Sequence, residues 1–478
     1  MGYPTIYPTG VTVNDPDRSW AGFTLLNAAD YGALLIDPNG KEVQLWKGLS
    51  GFPNALLPGG MVLGHTGERH DQLGDFDDLV QVDWHGQVVW RFDRFESGSD
   101  PRFPRQWRAR VHHDFQREGS PVGYYAPEQR PMVDGGRSLL LVHRNVTDQR
   151  ISAWPLLDDS IIEIDWDGRI LWCWHAHEHI DELGFDEEAR RIIRANPNLR
   201  PPVAGDPPPD CSGPAPGRCG DWLHINAMSR LGPNRWWDAG DPRFHPDNVM
   251  WCAREANIIA IIDKATGRIV WRLGPRFDGG EAERRIGQII GQHHAHIIPH
   301  RLPGAGNLLV FDNGGAAGYG SPRSGAPLGV KTEQRDYSRV LEIDPVSLAI
   351  VWKYTPAEAG FVVPLDATRF YSPFISSAQR CPNGNTLICE GSDGRIIEVT
   401  PRHEIVWEYI SPYWRKPPLA LNQVYRAYRY PYEWVPQLKV PAPAPVRRLD
   451  TATFRVPGSA PSGCQRMVDV RGAAVRMA

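Results

Sequence analysis

The chain lacks any apolar run of the ~18 residues that a membrane-spanning helix requires, so it is expected to be soluble and to have no membrane partner. It also lacks a basic block. Its 52 Lys and Arg stand against 56 Asp and Glu, a net charge of −4 over 478 residues, which gives no reason to expect nucleic acid as a partner. The opening residues, Met1 to Pro8, hold no charged segment followed by an apolar one. As written there is no export signal, which fits a cytoplasmic location; a periplasmic one requires a signal already removed. Cysteine is scarce and odd in number, seven in all, so at least one is unpaired within the chain. Cys173, Cys252, Cys381 and Cys389 lie in or beside apolar strand-like runs and are expected to be small core residues. Cys211 and Cys219 flank a Gly/Pro loop, either as a loop disulfide or as two free thiols.

What is abundant is Gly (47), Pro (44) and Trp (18), a turn-rich and aromatic-rich mixture that leans towards all-β architecture. A strand–turn–strand unit recurs six times. It has an apolar strand, a turn usually marked by Asp, and an apolar strand closing in Trp. The copies run from Leu35 to Trp46, Val80 to Trp90, Ile162 to Trp172, Ile261 to Trp271, Leu341 to Trp352 and Ile397 to Trp407. Asp and Gly suit the tight turns, and Val, Ile and Trp suit a pleated, half-buried surface. The Trp spacing is 44, 82, 99, 81 and 55 residues: short intervals fit one bare four-stranded blade, long ones carry insertions. A lone hairpin is marginal in water, whereas six stacked around an axis bury their faces and leave only short edges.

The expected fold is therefore an all-β, six-bladed β-propeller over residues 10–435, with a small helical and Pro-rich insertion (176–220) over one face. Residues 436–478 are expected to form an extended, partly disordered tail. Pro/Gly-rich turns at 58–60, 135–136, 306 and 382–385 are expected between the two inner strands of their blades. The first blade begins abruptly at Gly22–Leu26 and needs a strand from elsewhere, with 424–428 as the candidate.

The innermost strands line the axis of such a ring. Just ahead of their first turns the chain reads Val111-His112-His113-Asp114, Asp221-Trp222-Leu223-His224-Ile225-Asn226 and Gln292-His293-His294-Ala295-His296. Imidazoles gathered on one axis titrate near neutrality and serve as nucleophile, acid or base; taken singly, each could equally be a satisfied polar residue. Arg254, after the apolar strand Val249–Ala253, is either an oxyanion partner or the ion-pair partner of Glu255. Asn313 is a weaker candidate, in a run that could be only a turn. His175, His177 and His179 alternate as metal ligands on a strand do, but stand away from the repeat position. His65 and His70 read as loop residues.

With these residues in view, the chain resembles the bacterial arylsulfotransferases that use no nucleotide sulfate donor. The resemblance covers roughly residues 10–435. It rests on the opening blade from Asp37 to Trp46, His112-His113-Asp114, Trp222-Leu223-His224-Ile225-Asn226, Ala253-Arg254-Glu255, Gln292-His293-His294-Ala295, Phe311–Gly314 and Pro382–Leu387. It implies a ping-pong transfer of sulfuryl groups between phenols through a sulfohistidine, with no cofactor, neither metal nor nucleotide. Carried over residue by residue, the catalytic groups are His113, His224, Arg254 and His293, with His293 the nucleophile. His112, His294, His296, Asn226 and Asn313 are expected around the substrate. The family often has Asp where this chain has His294, which leaves the register among 293, 294 and 296 open. The expected partners are small-molecule aryl sulfates and phenols, with a homodimer allowed. Two other readings stand beside this one: a metal-dependent lyase or oxygenase with a histidine-ligated metal in the channel, and a non-catalytic propeller scaffold.

Overall fold

The computed structural model describes residues 8–67, 69, 74–98, 106–120, 122–199, 219–416, 421–450, 453–455, 457–460 and 466. The chain is mostly strand, and six antiparallel sheets form the blades of a β-propeller. From the inner strand outwards, blade 2 is Ser50–Leu57, Met61–His65, Leu79–Val82 and Val88–Phe92. Blade 3 is Val111–Arg117, Ser138–Val146, Leu156–Ile164 and Ile170–His175. Blade 4 is Ile225–Arg230, Val249–Ala253, Ile258–Ile262 and Ile269–Leu273. Blade 5 is His293–Ile297, Leu308–Asp312, Arg339–Ile343 and Ile350–Tyr354, and blade 6 is Ser377–Arg380, Thr386–Glu390, Arg395–Val399 and Ile405–Ile410.

Blade 1 is completed from the far end of the chain. Phe23–Ala28, Gly32–Ile36 and Glu42–Lys47 receive Ala427–Tyr430 as their inner strand, in the register Phe23↔Tyr430 to Leu26↔Ala427. This lies a few residues beyond the start of the candidate segment read from the sequence. Blade 6 carries a fifth, outer strand, Gly10–Asn14, paired with Ile405–Ile410. Both ends of the chain therefore fasten the same seam, and Val446 bonds back to Asn14 in both directions. Residues up to Val446 are extended but held: Asn14 Nδ2 donates to Ala444 O and Asn39 Nδ2 to Ala442 O.

The repeated tryptophans tie blade to blade. Each indole N–H donates to a carbonyl in the outer turn of the next blade: Trp46 to Asp83, Trp90 to Trp166, Trp172 to Lys264, Trp271 to Pro345, Trp352 to Pro401. Trp407 closes the circle on Pro38 at 2.8 Å. In those turns Asp holds the backbone, as in Asp37 Oδ1 accepting from Asn39 and Lys41 N–H. Gly40 takes the left-handed φ of 80° that the turn demands.

The core lies between consecutive blades. Leu139 and Leu141 pack with blade 4 residues such as Trp251 and Ile258. The alternating Leu140 and Val142 pack with blade 2 residues such as Leu63 and Trp90. Inner strands covered on both faces read as continuous apolar runs rather than alternating ones.

Within the insertion, Glu187–Ala195 is a helix whose N-cap, Asp186, accepts from Ala189 N–H. No helix among the described residues is long and apolar enough to cross a membrane. Two expectations change. Cys173 is exposed, because it lies on an outer strand rather than in the core, whereas Cys252, Cys381 and Cys389 are buried. His65 is not a loop residue: it ends a strand, fully buried, with its ring stacked on Phe76 at 3.9 Å. His70 and Cys211 lie outside the described residues, and the proposed pairing of Cys211 with Cys219 lies outside with them.

Candidate active site in the channel

The inner strands of blades 3, 4 and 5 are irregular where they carry histidine. His113, His224 and His294 have φ of 52°, 54° and 54°, a left-handed backbone that costs a non-glycine residue on the order of 1–3 kcal/mol. Beside each the ladder slips register, between Val111 and Phe115, Ile225 and Ala227, and His293 and His296. Bulges of this kind re-aim side chains, and here they turn imidazoles of successive blades towards one axis.

The rings of His113 and His224 meet edge-on at 4.6 Å. Tyr425, from the segment leading into the closing strand, lies 5.9 Å from His113 and 6.4 Å from His293. It also stacks on Phe52 of blade 2 at 3.7 Å. Phe52 in turn meets His113 at 5.1 Å, and the Arg69 guanidinium sits 4.4 Å above the Phe52 ring. Histidines from three blades thus stand around one aromatic pair contributed by two others. His224 and Arg254 keep 17% and 15% side-chain exposure, while His113 and His293 are buried, so the site opens to solvent past the first pair.

His293 is fixed by partners that dictate its tautomer. Asn313 Nδ2 donates to the carbonyls of Ser372 and Ile375, both at 2.7 Å. Its Oδ1 must therefore be the atom facing His293 Nδ1 at 2.8 Å. The imidazole proton sits on Nδ1, and Nε2 keeps its lone pair, accepting only a long bond from Ile375 N–H at 3.2 Å. Burial first, then the Arg254 guanidinium and His224, hold this imidazole well below its ordinary pKa, so it is neutral at pH 7. His224 is set differently, with Nδ1 2.7 Å from Asp221 Oδ2, a carboxylate that fixes the orientation of its ring. Arg254 pairs with Glu255, which is also 3.9 Å from Lys331, and the Gly318 N–H of the small hairpin formed by Ala317–Tyr319 and Val330–Glu333 bonds Glu255 O.

The remaining candidates sit deeper. His294 bonds Ala378 O and the Tyr428 hydroxyl, and His296 bonds His294 O and the Tyr124 hydroxyl at 2.8 Å. Both are packed among tyrosines, whereas His293 faces Asn313. Asn226 is fully buried, its side-chain amide donating to Gln292 O while its backbone carbonyl accepts from Arg426. His112 is fully buried behind His113, Nδ1 to Nδ1 at 2.8 Å. The alternating histidines beside the insertion do not converge: His175 bonds Ser160 and Arg144, His177 bonds Asp158, and His179 bonds Glu182.

Sequence reasoning missed Tyr425 as a channel residue, Asp221 as the partner of His224, and the pair His143 and Asp159 behind His112. Asp221 carried a usable signal, standing three residues before His224. His112, His143 and Asp159 are the one group of potential metal-binding side chains within reach of a common point among the described residues. The His112 and His143 rings, however, stack at 3.5 Å with only 16° between their planes. An ion lying in the plane of one ring would stand far out of the plane of the other, so this geometry suits hydrogen bonding and not ligation.

No curated protein matches the chain. Among solved structures it is similar to a protein of unknown function from Bacteroides caccae (10% identity, 86% of this chain and 99% of that one, TM-score 0.41). It is also similar to a streptogramin B lyase (12%, 86% and 85%, TM-score 0.32) and to AztD from Citrobacter koseri (8%, 86% and 98%, TM-score 0.35). The arylsulfotransferase (ASST) family model matches residues 131–409, a span that holds His224, Arg254 and His293 and begins after His113. With more than half of its length matched, the chain belongs to the arylsulfotransferase family, and it is an arylsulfotransferase enzyme.

Proposed function

We propose that the enzyme moves a sulfuryl group from an aryl sulfate to a phenol through a sulfohistidine on His293, with no nucleotide donor. The observation that carries this reading is the tautomer of His293: Asn313 holds the proton on Nδ1, which leaves the Nε2 lone pair as nucleophile. Nε2 attacks sulfur, an N–S bond forms, and the S–O bond to the aryl group breaks. Arg254 and the Asp221-paired His224 hold the sulfuryl oxygens through charge-assisted hydrogen bonds. The aryl ring rests against the Phe52–Tyr425 pair, which brings its oxygen to His113. Phenols have a pKa of about 10, so the departing phenolate takes the Nε2 proton of neutral His113 as His113 Nδ1 is re-protonated from His112 behind it, which leaves no imidazolate. A second phenol then returns that proton and accepts the sulfuryl group.

Mixing the protein with an isotopically labelled aryl sulfate, followed by an acid-free quench, tests the intermediate. The unaltered chain is expected to retain label. His293→Asn is expected to retain none and to lose on the order of 10⁴-fold or more in transfer. Label retained on the Asn variant would move the nucleophile to another side chain.

A further inference from the structure

Behind His113 lies a buried polar chain that runs on past His112. His113 Nδ1 faces His112 Nδ1 at 2.8 Å. On the far side of that ring, His112 Nε2 is 3.3 Å from Asp159 Oδ1. His112 and Asp159 are fully buried, and neither of those two atoms has a hydrogen-bond partner among the described residues. Asp159 Oδ2 is occupied, accepting from Ile225 N–H at 3.0 Å, so Oδ1 is the oxygen available to carry a proton. Around it stand the carboxylates of Asp158 and Asp221 and the ring of His143, whose Nε2 is 3.6 Å away. His143 stacks on His112 and turns its other nitrogen to Asp75, which Arg110 neutralises at 3.0 Å. No Lys or Arg pairs with Asp159 among the described residues, and burial together with the neighbouring carboxylates raises its pKa well above the usual range. A buried, unpaired carboxylate is costly, and the group neutralises instead.

We propose that Asp159 and His112 form a proton relay that feeds His113. At rest Asp159 Oδ1–H points to His112 Nε2, and His112 Nδ1–H donates to His113 Nδ1. His113 then presents Nε2–H to the channel. When the aryl–oxygen bond breaks, the His113 Nε2 proton passes to the phenolate. His113 Nδ1 takes the proton from His112 Nδ1, and His112 Nε2 takes the proton from Asp159. One phenolate and one carboxylic acid become one phenol and one carboxylate, and no ring carries a net charge afterwards. The acceptor phenol reverses each transfer, so Asp159 stores the proton deficit while the sulfuryl group waits on the enzyme. The 3.3 Å separation closes by a small ring rotation, since catalytic hydrogen bonds are often long before substrate binds. His112 and Asp159 touch no substrate and act through His113.

The relay rests on the sulfuryl-transfer reading, and its test separates the two. Full-length Asp159→Asn is assayed with two donors, one releasing a basic phenol and one releasing a strongly acidic nitrophenol that needs little protonation. General acid catalysis contributes on the order of 10²-fold or more, so the Asn variant is expected to shift the ratio of kcat values for the two donors by about tenfold or more, with KM nearly constant. An equal loss on both donors, or no loss, overturns the relay. Should the variant fail to fold, rates of the unaltered enzyme in mixtures of H2O and D2O decide. A bowed dependence, from several protons in flight, supports the relay, and a linear one overturns it. If the unaltered chain never retains sulfuryl label, the sulfohistidine reading fails; if it does and the donor ratio is unmoved, the relay alone fails.

Discussion

Asn313 does for His293 what no charged residue in the channel could do without changing the charge of the nucleophile. Its amide is oriented by two backbone carbonyls, so it selects a tautomer while remaining neutral. Asn313→Ala is expected to let the proton move to Nε2 in part of the population, lowering kcat on the order of 10²-fold with little effect on donor KM. The comparison is the large loss seen when a catalytic imidazole is held in the wrong tautomer. Steady-state kinetics with a nitrophenyl donor, beside a circular dichroism spectrum to verify the fold, checks it. The histidine clusters were legible in the sequence because they sit together at the start of inner strands, where apolar residues otherwise dominate. His143 and Asp159 were not. One ends an apolar run and the other stands in a strand that the isoleucines of its hairpin dominate, so only the stacking of neighbouring strands brings them behind His112. Tyr425 was hidden for a related reason: its segment reads as a spare strand until closure of the ring carries it to the axis.

At the level of elements, the repeated Trp was legible as a marker but not as a device. Local pattern shows an apolar strand ending in a large ring, while the bond it makes reaches into the next blade. The six bonds are not equivalent. Trp407 is fully buried and clasps blade 6 to blade 1, whereas the Trp352 bond to Pro401 is long, at 3.2 Å, and exposed. Trp407→Phe is expected to cost about 1–3 kcal/mol, because the Pro38 carbonyl is left buried without its donor. Trp352→Phe is expected to cost clearly less, since water replaces the indole. Urea unfolding of the two variants, compared at equal m-value, measures the difference; equal costs would mean that the indole bonds contribute nothing particular at the seam. The outer strand Gly10–Asn14 escaped the sequence reading. It is five residues long, and its partner lies near residue 410, so neither length nor periodicity marks it.

For the whole molecule, buried histidines of the channel and a half-buried carboxylate in the turn between the second and third strands of blade 6 act against each other. His296, pushed down to about 4 by burial, and His294, held well below its usual value by burial and then His296, stay neutral in the folded ring. Asp393 is pushed up to about 7 by burial and the neighbouring Glu390. For His296 the unfolded chain binds a proton that the folded chain refuses between roughly pH 6.5 and 4. Its contribution is therefore complete above pH 6.5 and falls as the pH drops, by about 3 kcal/mol over that window. Asp393 has the opposite sign: the folded chain holds a proton that the unfolded chain has released. Its contribution is complete below the ordinary carboxylate range and is lost as the pH rises through about 7. The net curve mixes the two, so single substitutions separate them. Between pH 7 and 4.5, His296→Gln is expected to lose less stability on acidification than the unaltered chain. Asp393→Asn is expected to gain on it between pH 5 and 8. Denaturant midpoints taken across pH read both slopes directly, and parallel curves for either variant would mean that its side chain titrates alike in the folded and unfolded chains.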